Sequence, residues 1–127
     1  MYWVEFVTLL SLLQYLLFGV LVGRARGKYG IHAPAITGHE VFERYFRVQQ
    51  NTLELMILFL PSLWIAAHYW NPQWMAAIGA VYLVGRLIFL SSYVVDPPSR
   101  SLGFGLSIIP VISLLLAGFV GVLRVLF

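Results

Sequence analysis

Four long apolar stretches, separated by short polar connections, constrain the fold of this chain more than any other feature of its sequence. They cover residues 3–22, 53–69, 74–94 and 102–127, so the stretches are 17 to 26 residues long. About 20 helical residues cross the hydrocarbon core of a bilayer, because a helix rises about 1.5 Å per residue. The pattern therefore predicts four membrane-spanning helices.

The composition excludes soluble classes of protein. Of the 127 residues, 61% are apolar and only 10% are charged, whereas about a quarter of the residues of soluble domains carry charge. Without cysteine, the chain has no disulfide, thiolate metal ligand or cysteine nucleophile, and its histidines show no metal spacing. We expect an all-α protein, a single integral membrane four-helix bundle over residues 1–127, with no metal and no nucleic-acid partner.

Basic residues concentrate in the connections on one side of the predicted bundle. The Asn71-Pro72 turn between the second and third spans has none. By the positive-inside rule, the connections 23–37 and 95–101 then face the cytoplasm and both termini face out. We expect a multi-pass protein of a bacterial inner membrane. The basic residues on the connection side are Arg24, Arg26, Lys28, Arg44, Arg47 and Arg100, and only Arg124 lies at the opposite face.

The second helix is predicted to begin well before its apolar stretch. Thr37-Gly38-His39-Glu40 has the spacing of a capping box, with Thr37 as the N-cap, so the helix would start at about residue 38. Pro61 interrupts the pattern further along and is expected to kink the helix.

Polar residues form one stripe on helix two and another on helix three. At 100° per residue, the helix-two stripe lies within about a 100° arc and rises roughly 21 Å. Glu54 and Arg86 come at similar depth, as do Asn51 and Tyr93, which predicts a shared cavity open to the cytoplasm. Ionisable groups at this depth mark a functional site by default. The alternative is that Glu54 and Arg86 only pair with each other to hold the bundle together. The stripes are Glu40, Glu43, Arg44, Arg47, Asn51 and Glu54 on helix two, and Tyr82, Arg86, Phe89 and Tyr93 on helix three.

The run from Phe42 to Glu54, FERYFRVQQNTLE, resembles the signature of the MAPEG family, the membrane-associated proteins in eicosanoid and glutathione metabolism. That family has F-E-R followed by R-x-Q-x-N-x-x-E on its second helix. The resemblance extends over most of the chain, from about Arg26 to Arg100. Outside the run it is carried by Arg26, Pro34, Gly85-Arg86-Leu87, Phe89, Tyr93 and Arg100.

The resemblance implies a homotrimer that binds glutathione between adjacent subunits near the cytoplasmic leaflet. Arg26 and Arg47 suit the two carboxylates of glutathione, because guanidinium binds carboxylate bidentately. Glu54 suits its ammonium group. Asn51 can donate to and accept from its amides.

Three further residues belong to this expected site. Gln49 lies on the far side of helix two, so it would reach glutathione only from the neighbouring subunit. Tyr93 would line the site. Arg86 would support Glu54 or bind a carboxylate.

Arg100 is the predicted catalytic residue. The thiolate is the nucleophile, and a free thiol with a pKa of about 8.5 is only a few per cent ionised at neutral pH. A guanidinium held against the sulfur would favour the anion. The implied activity is that of a membrane-bound glutathione transferase, acting on a hydrophobic electrophile or reducing a lipid hydroperoxide that arrives through the membrane lipid.

Two differences from the family pattern narrow the expected enzymatic activity. Leu55 and Phe89 stand where leukotriene-synthesising members have Tyr, so a broader detoxifying transferase or peroxidase is favoured. Two alternatives stay open. One is a small multidrug or metabolite transporter. Such a transporter needs a carboxylate near the middle of helix one, and Glu5 lies too near the start of that helix to supply it. The other is a non-catalytic protein that binds glutathione or lipid.

Overall fold

The computed structural model describes all 127 residues and contains four long helices. They are α1 (Tyr2–Tyr29), α2 (Glu40–Tyr69), α3 (Pro72–Val95) and α4 (Ser101–Leu126), with a short 3-10 helix, Pro97–Arg100, between α3 and α4. All four helices are long and apolar enough to cross a membrane. The predicted all-α class and the four spans are confirmed, and the chain is an integral, multi-pass membrane protein.

The connections between helices follow from local chemistry. The α2–α3 turn is tight because the Asn71 side chain accepts a hydrogen bond from the Gln73 amide at 2.9 Å, while Pro72 starts α3 where no N–H is needed. The α1–α2 and α3–α4 connections lie together at the other end of the bundle. We call this the basic end, because every lysine and arginine except Arg124 lies towards it.

The start of α2 differs from the prediction. Thr37 does not cap the helix; His39 is the N-cap, and its Nδ1 accepts from the Val41 amide at 3.1 Å. Gly38 has a φ of 138°, which turns the chain sharply between Thr37 and the helix. The His39 ring also stacks on Tyr29, with centroids 3.7 Å apart. This contact ties the α2 cap to the end of α1, a tertiary effect that the local sequence pattern does not contain.

The largest buried apolar cluster lies mainly in the half of the bundle next to the Asn71-Pro72 turn. Three of the buried polar side chains, Thr52, Arg86 and Ser107, lie together nearer the basic end. The cluster comprises Val4, Val7, Leu55, Met56, Phe59, Leu63, Ala66, Ala67, Ala76, Tyr82, Val111 and Leu114.

Glycines bring α3 and α4 into backbone contact. A Cβ on Gly85 would lie 2.6 Å from the Leu106 carbonyl carbon, and one on Gly103 would lie 2.4 Å from the Phe89 nitrogen. Any larger residue at either position would force the helices apart. This close approach sets α3 residues Arg86 and Phe89 directly beside α4.

Candidate functional site

A cavity of about 540 Å³ opens between α2, α3 and the start of α4, in the half of the bundle nearer the basic end. Its α2 residues are spaced by four and three positions and its α3 residues by four, so each helix presents one face to it. A volume of this size suits a small-molecule ligand. The lining residues are Arg47, Asn51, Glu54, Phe89, Tyr93, Arg100 and Phe104.

Five of the eight residues predicted from the sequence lie on this wall: Arg47, Asn51, Glu54, Tyr93 and Arg100. The remaining three are Arg26, Gln49 and Arg86. Arg86 lies directly behind the wall, and Arg26 and Gln49 lie outside the cavity.

Arg86 is fully buried, with no exposed surface, and it reaches across to two other helices. Its Nη1 donates to Asn51 Oδ1 at 2.6 Å and to Thr52 Oγ1 at 3.2 Å, and its Nε donates to Ser107 Oγ at 2.8 Å. The expected ion pair with Glu54 is not formed; the single ion pair in the chain joins Arg44 and Glu40. The neutral oxygens of α2 and α4 lie closer to the guanidinium than the Glu54 carboxylate, which faces outward.

The Arg86 contact also fixes the orientation of Asn51. Guanidinium only donates hydrogen bonds, so the carboxamide oxygen of Asn51 must face it. The Asn51 nitrogen then remains as the group available to a ligand. Asn51 can therefore donate at the cavity wall, whereas the sequence had suggested that it both donates and accepts.

Gln49 points away from the cavity and faces α1. Its Nε2 lies 3.0 Å from the position that a Cβ on Gly19 would occupy. Arg26 is held at the end of α1, where its Nη1 donates to the Ala35 carbonyl at 2.7 Å and its guanidinium lies 4.8 Å from the Phe42 ring centroid. Neither residue lines the cavity.

Aromatic side chains form the apolar part of the wall. Phe89 stacks on Tyr93 with centroids 5.4 Å apart, and its centroid is 6.3 Å from that of Phe104. Phe104 could not be assigned to the site from the sequence. Helix four has no charged residue between Arg100 and Arg124 to mark the face that meets the cavity, so only the α3–α4 packing reveals it.

The charged groups on the wall have no ionic partner within the chain. Arg47, Glu54 and Arg100 are all exposed, and Arg100 makes only a 3.5 Å contact to the Pro97 carbonyl. The cavity thus combines two free guanidiniums, one free carboxylate and the Asn51 amide donor. Such a set suits a ligand that carries anionic groups and a cationic group at separate positions.

Arg44 lies beside the cavity and joins α2 to the end of α3. Its Nη1 donates to the Val94 carbonyl at 3.0 Å and to the Val95 carbonyl at 3.3 Å. The last carbonyls of a helix carry partial negative charge, which a cation stabilises. The chain leaves α3 here and reaches Arg100 five residues later, so this contact anchors the segment that carries Arg100.

Comparison with known proteins gives a consistent assignment. The model of the MAPEG family matches residues 4–120. Human microsomal glutathione S-transferase 2 is 39% identical over 116 residues, which cover 91% of this chain and 79% of that protein. An uncharacterized protein of Synechocystis is 46% identical over 104 residues, covering 82% of this chain and 76% of the relative. Guinea-pig (Cavia porcellus) leukotriene C4 synthase is 40% identical over 87 residues, 68% of this chain and 58% of that protein. The chain belongs to the MAPEG family.

Proposed function

We propose that the protein is a membrane-bound glutathione transferase that activates glutathione as a thiolate, for conjugation to a hydrophobic electrophile or for reduction of a lipid hydroperoxide. The observation that carries the proposal is the single cavity whose wall combines Arg47, Arg100, Glu54 and Asn51. Glutathione offers complementary groups: two carboxylates, one ammonium, two amides and the thiol. The names of the relatives, a glutathione S-transferase and a leukotriene C4 synthase, agree with this ligand.

The charge of the site supports the thiolate form of glutathione. At neutral pH glutathione has one net negative charge as the thiol and a second as the thiolate. Arg47 and Arg100 outweigh Glu54 on the wall, and the cation of Arg86 lies directly behind it. The surplus positive charge therefore favours the dianion. In this assignment Glu54 binds the ammonium and Arg47 a carboxylate.

Arg100 is the proposed catalytic residue. Its guanidinium has no carboxylate partner and stands at the cavity wall, free to turn towards the sulfur. Lowering the pKa of the thiol by two units requires roughly 2.7 kcal/mol of differential interaction, which is about the size of one hydrogen bond to a charged group. The thiolate sulfur then donates its electron pair to the electrophilic carbon, a C–S bond forms, and the leaving group departs with the bonding pair.

Glu54 supports a trimer in which the site lies between subunits. Its carboxylate is exposed in the single chain, although it stands roughly 21 Å along α2 from Glu40, within the apolar stretch. An ionised carboxylate that no other group covers or pairs is costly at the edge of the membrane core. A neighbouring subunit that covered the cavity would remove this cost, and its Gln49 and Arg26 would then complete the glutathione site.

The nature of the second substrate follows from the apolar part of the wall. Phe89 and Phe104 border the cavity, so an electrophile dissolved in the bilayer meets an aromatic surface beside the sulfur. Phe89 carries no hydroxyl, and Leu55 is buried in the apolar core. We therefore favour a broad detoxifying activity over a leukotriene-specific one.

The membrane orientation is part of the proposal. The positive-inside rule puts the basic end, and with it the opening of the cavity, on the cytoplasmic side of a bacterial inner membrane. Glutathione would then enter from the cytoplasm and the electrophile from the lipid.

An ultraviolet difference spectrum tests the proposal. Glutathione is added to the detergent-solubilised protein at neutral pH, and the absorbance of the thiolate is followed. We expect a saturable band. S-methylglutathione, which has no ionisable thiol, is the matched control and should compete for the site without producing a band. Binding by calorimetry without a thiolate band would favour a non-catalytic binding protein, and no binding at all would refute the proposal.

A further inference from the structure

Arg86 is the one charged side chain buried in the interior of the bundle, and direct contact with a ligand does not account for it, because none of its surface is exposed. Burial of an arginine within an apolar helix bundle is costly unless an ionic partner or hydrogen-bond acceptors compensate the charge, and ionisable groups at this depth mark functional sites by default. The usual structural explanation, an ion pair with a carboxylate, does not apply, since the chain's one ion pair is Arg44–Glu40.

Only neutral oxygens surround the Arg86 guanidinium. They belong to Asn51, Thr52 and Ser107. The two hydroxyl groups use their own protons elsewhere, because Thr52 donates to the Val48 carbonyl at 2.8 Å and Ser107 to the Gly103 carbonyl at 2.7 Å. Each hydroxyl therefore presents a lone pair to Arg86, and its rotation is fixed.

The arrangement leaves the positive charge without a counter-ion. The Nη2 of Arg86 has no acceptor, and no carboxylate neutralises the guanidinium. The charge stands one residue layer behind the cavity: Arg86 contacts the wall residue Asn51 at 2.6 Å, and its guanidinium carbon lies 4.5 Å from the ring centroid of the wall residue Phe89. In this apolar setting a charge acts more strongly than it would in water.

We infer that Arg86 is a positioning residue that makes the cavity selective for an anionic ligand. It holds the Asn51 carboxamide with its N–H donors towards the cavity, and it keeps a buried, unneutralised positive charge behind the wall. The inference rests on the proposed function for the identity of the anion, the glutathione thiolate. It assigns Arg86 a role that neither pairing with Glu54 nor direct binding of a carboxylate provides.

Two substitutions remove this arrangement in different ways. Arg86→Met removes the charge and releases Asn51. Asn51→Asp retains a side chain of the same shape but neutralises Arg86 with a carboxylate and removes both amide donors. Because a buried ion pair forms in Asn51→Asp, this variant is expected to fold even if Arg86→Met does not. Ser107→Ala is the matched control, since it removes one hydrogen bond of Arg86 and leaves the contact with Asn51 intact.

The experiment measures the pH at which bound glutathione becomes a thiolate, from the absorbance of the thiolate on the full-length protein in detergent, with folding checked by circular dichroism. We expect Arg86→Met and Asn51→Asp to raise the apparent pKa of the bound thiol by about one unit or more, a tenfold loss of thiolate below that pH. Ser107→Ala should stay within about 0.3 units of the wild type. Arg86→Lys, which keeps the charge, should retain most of the wild-type thiolate.

The outcomes separate the two proposals. No thiolate band in the wild-type protein would refute the proposed function, and the inference with it. A wild-type band with the same apparent pKa in folded Asn51→Asp or Arg86→Met would overturn the inference and leave the proposed function intact. A purely structural role of Arg86 predicts that Ser107→Ala and Arg86→Met shift the apparent pKa of the bound thiol equally. That result would also overturn the inference.

Discussion

Gly103 of α4 lies in direct contact with the backbone of Phe89 in α3, so close that a Cβ at position 103 would come within 2.4 Å of the Phe89 nitrogen. Real side chains do not tolerate this distance. Phe89 lines the cavity, and so does Phe104, the residue next to Gly103. The width of the cavity at its aromatic side is therefore set by a backbone contact that only glycine permits.

Gly103→Ala is expected to destabilise the protein by about 1–3 kcal/mol, the usual cost of overpacking, and to weaken ligand binding by displacing Phe89 and Phe104. Gly105→Ala is the matched control on the same helix, because nothing lies within 4 Å of a Cβ there. It should be neutral or slightly stabilising, since alanine favours helix over glycine. Thermal unfolding in detergent measures both. Equal stability of the two variants would contradict the close α3–α4 packing.

The helices could be predicted from the sequence because they depend on local patterns. Stretches of 17 or more apolar residues form helices in a bilayer, where backbone polar groups must be satisfied within the segment. The N-cap of α2 could not be predicted in the same way. The Thr37 pattern is local, but the capping residue is decided by the stacking of His39 on Tyr29, from another helix.

The residues of the candidate site likewise divide into those that local spacing predicts and those that only helix packing brings together. Arg47, Asn51 and Glu54 lie on one face of one helix, so helical spacing alone brings them together. The partner of Arg86 depends on the relative rotation of α2, α3 and α4. Glu54 and Asn51 are less than one turn apart, and the sequence contains no signal that selects Asn51 over Glu54. Phe104 and Ser107 likewise enter through helix packing alone.

Arg100→Leu is expected to abolish turnover at neutral pH while the dissociation constant for glutathione changes by only a few fold. Without the guanidinium the thiol returns towards its free pKa of about 8.5, where a few per cent is ionised at neutral pH. The thiolate band and the conjugation rate, measured with one electrophile, should fall together. Arg124→Leu is the control, because Arg124 lies at the other end of the bundle, 5.3 Å from the Trp70 ring centroid. Equal losses of affinity and turnover in Arg100→Leu would make Arg100 a binding residue.

Glu54→Gln is expected to weaken glutathione binding by about 10- to 100-fold, the value of one hydrogen bond between charged groups. The amide keeps the size of the side chain and removes its charge. A glutathione analogue that lacks the amino group identifies the partner: the wild type and Glu54→Gln should bind it with equal affinity, as measured by calorimetry. If the variant loses affinity for this analogue too, Glu54 does not bind the ammonium.

Arg44→Gln is expected to reduce turnover more than affinity, because it releases the end of α3 and with it the segment that carries Arg100. The substitution removes the hydrogen bonds that Arg44 donates to the Val94 and Val95 carbonyls. Glu40→Gln removes the ionic partner of Arg44 but leaves those hydrogen bonds in place, so it should retain near wild-type activity. The comparison is made by steady-state kinetics. Similar losses in both variants would indicate that the ion pair, and not the contact with α3, holds this segment.

Mixed oligomers test whether the site lies between subunits. One variant carries Arg26→Ala and Gln49→Ala, the other Glu54→Gln, and each alone is expected to bind glutathione weakly. These residues lie on different surfaces of the subunit, since Gln49 faces Gly19 on α1 and Glu54 lines the cavity. Co-expression should then restore about a quarter of the sites, because at a head-to-tail interface one subunit supplies the intact cavity and its neighbour the intact opposite face.

The control mixture combines Asn51→Asp with Glu54→Gln. Both residues lie on the same cavity wall, so every site in the mixed oligomer keeps one defect and no binding should return. Restoration in the first mixture and none in the second would support a site shared between subunits. Two other outcomes would instead confine the site to one chain. One is full glutathione binding by the variant that carries Arg26→Ala and Gln49→Ala, and the other is no restoration of binding in either mixture. In that case another explanation would be needed for the exposed carboxylate of Glu54 within the apolar stretch of α2.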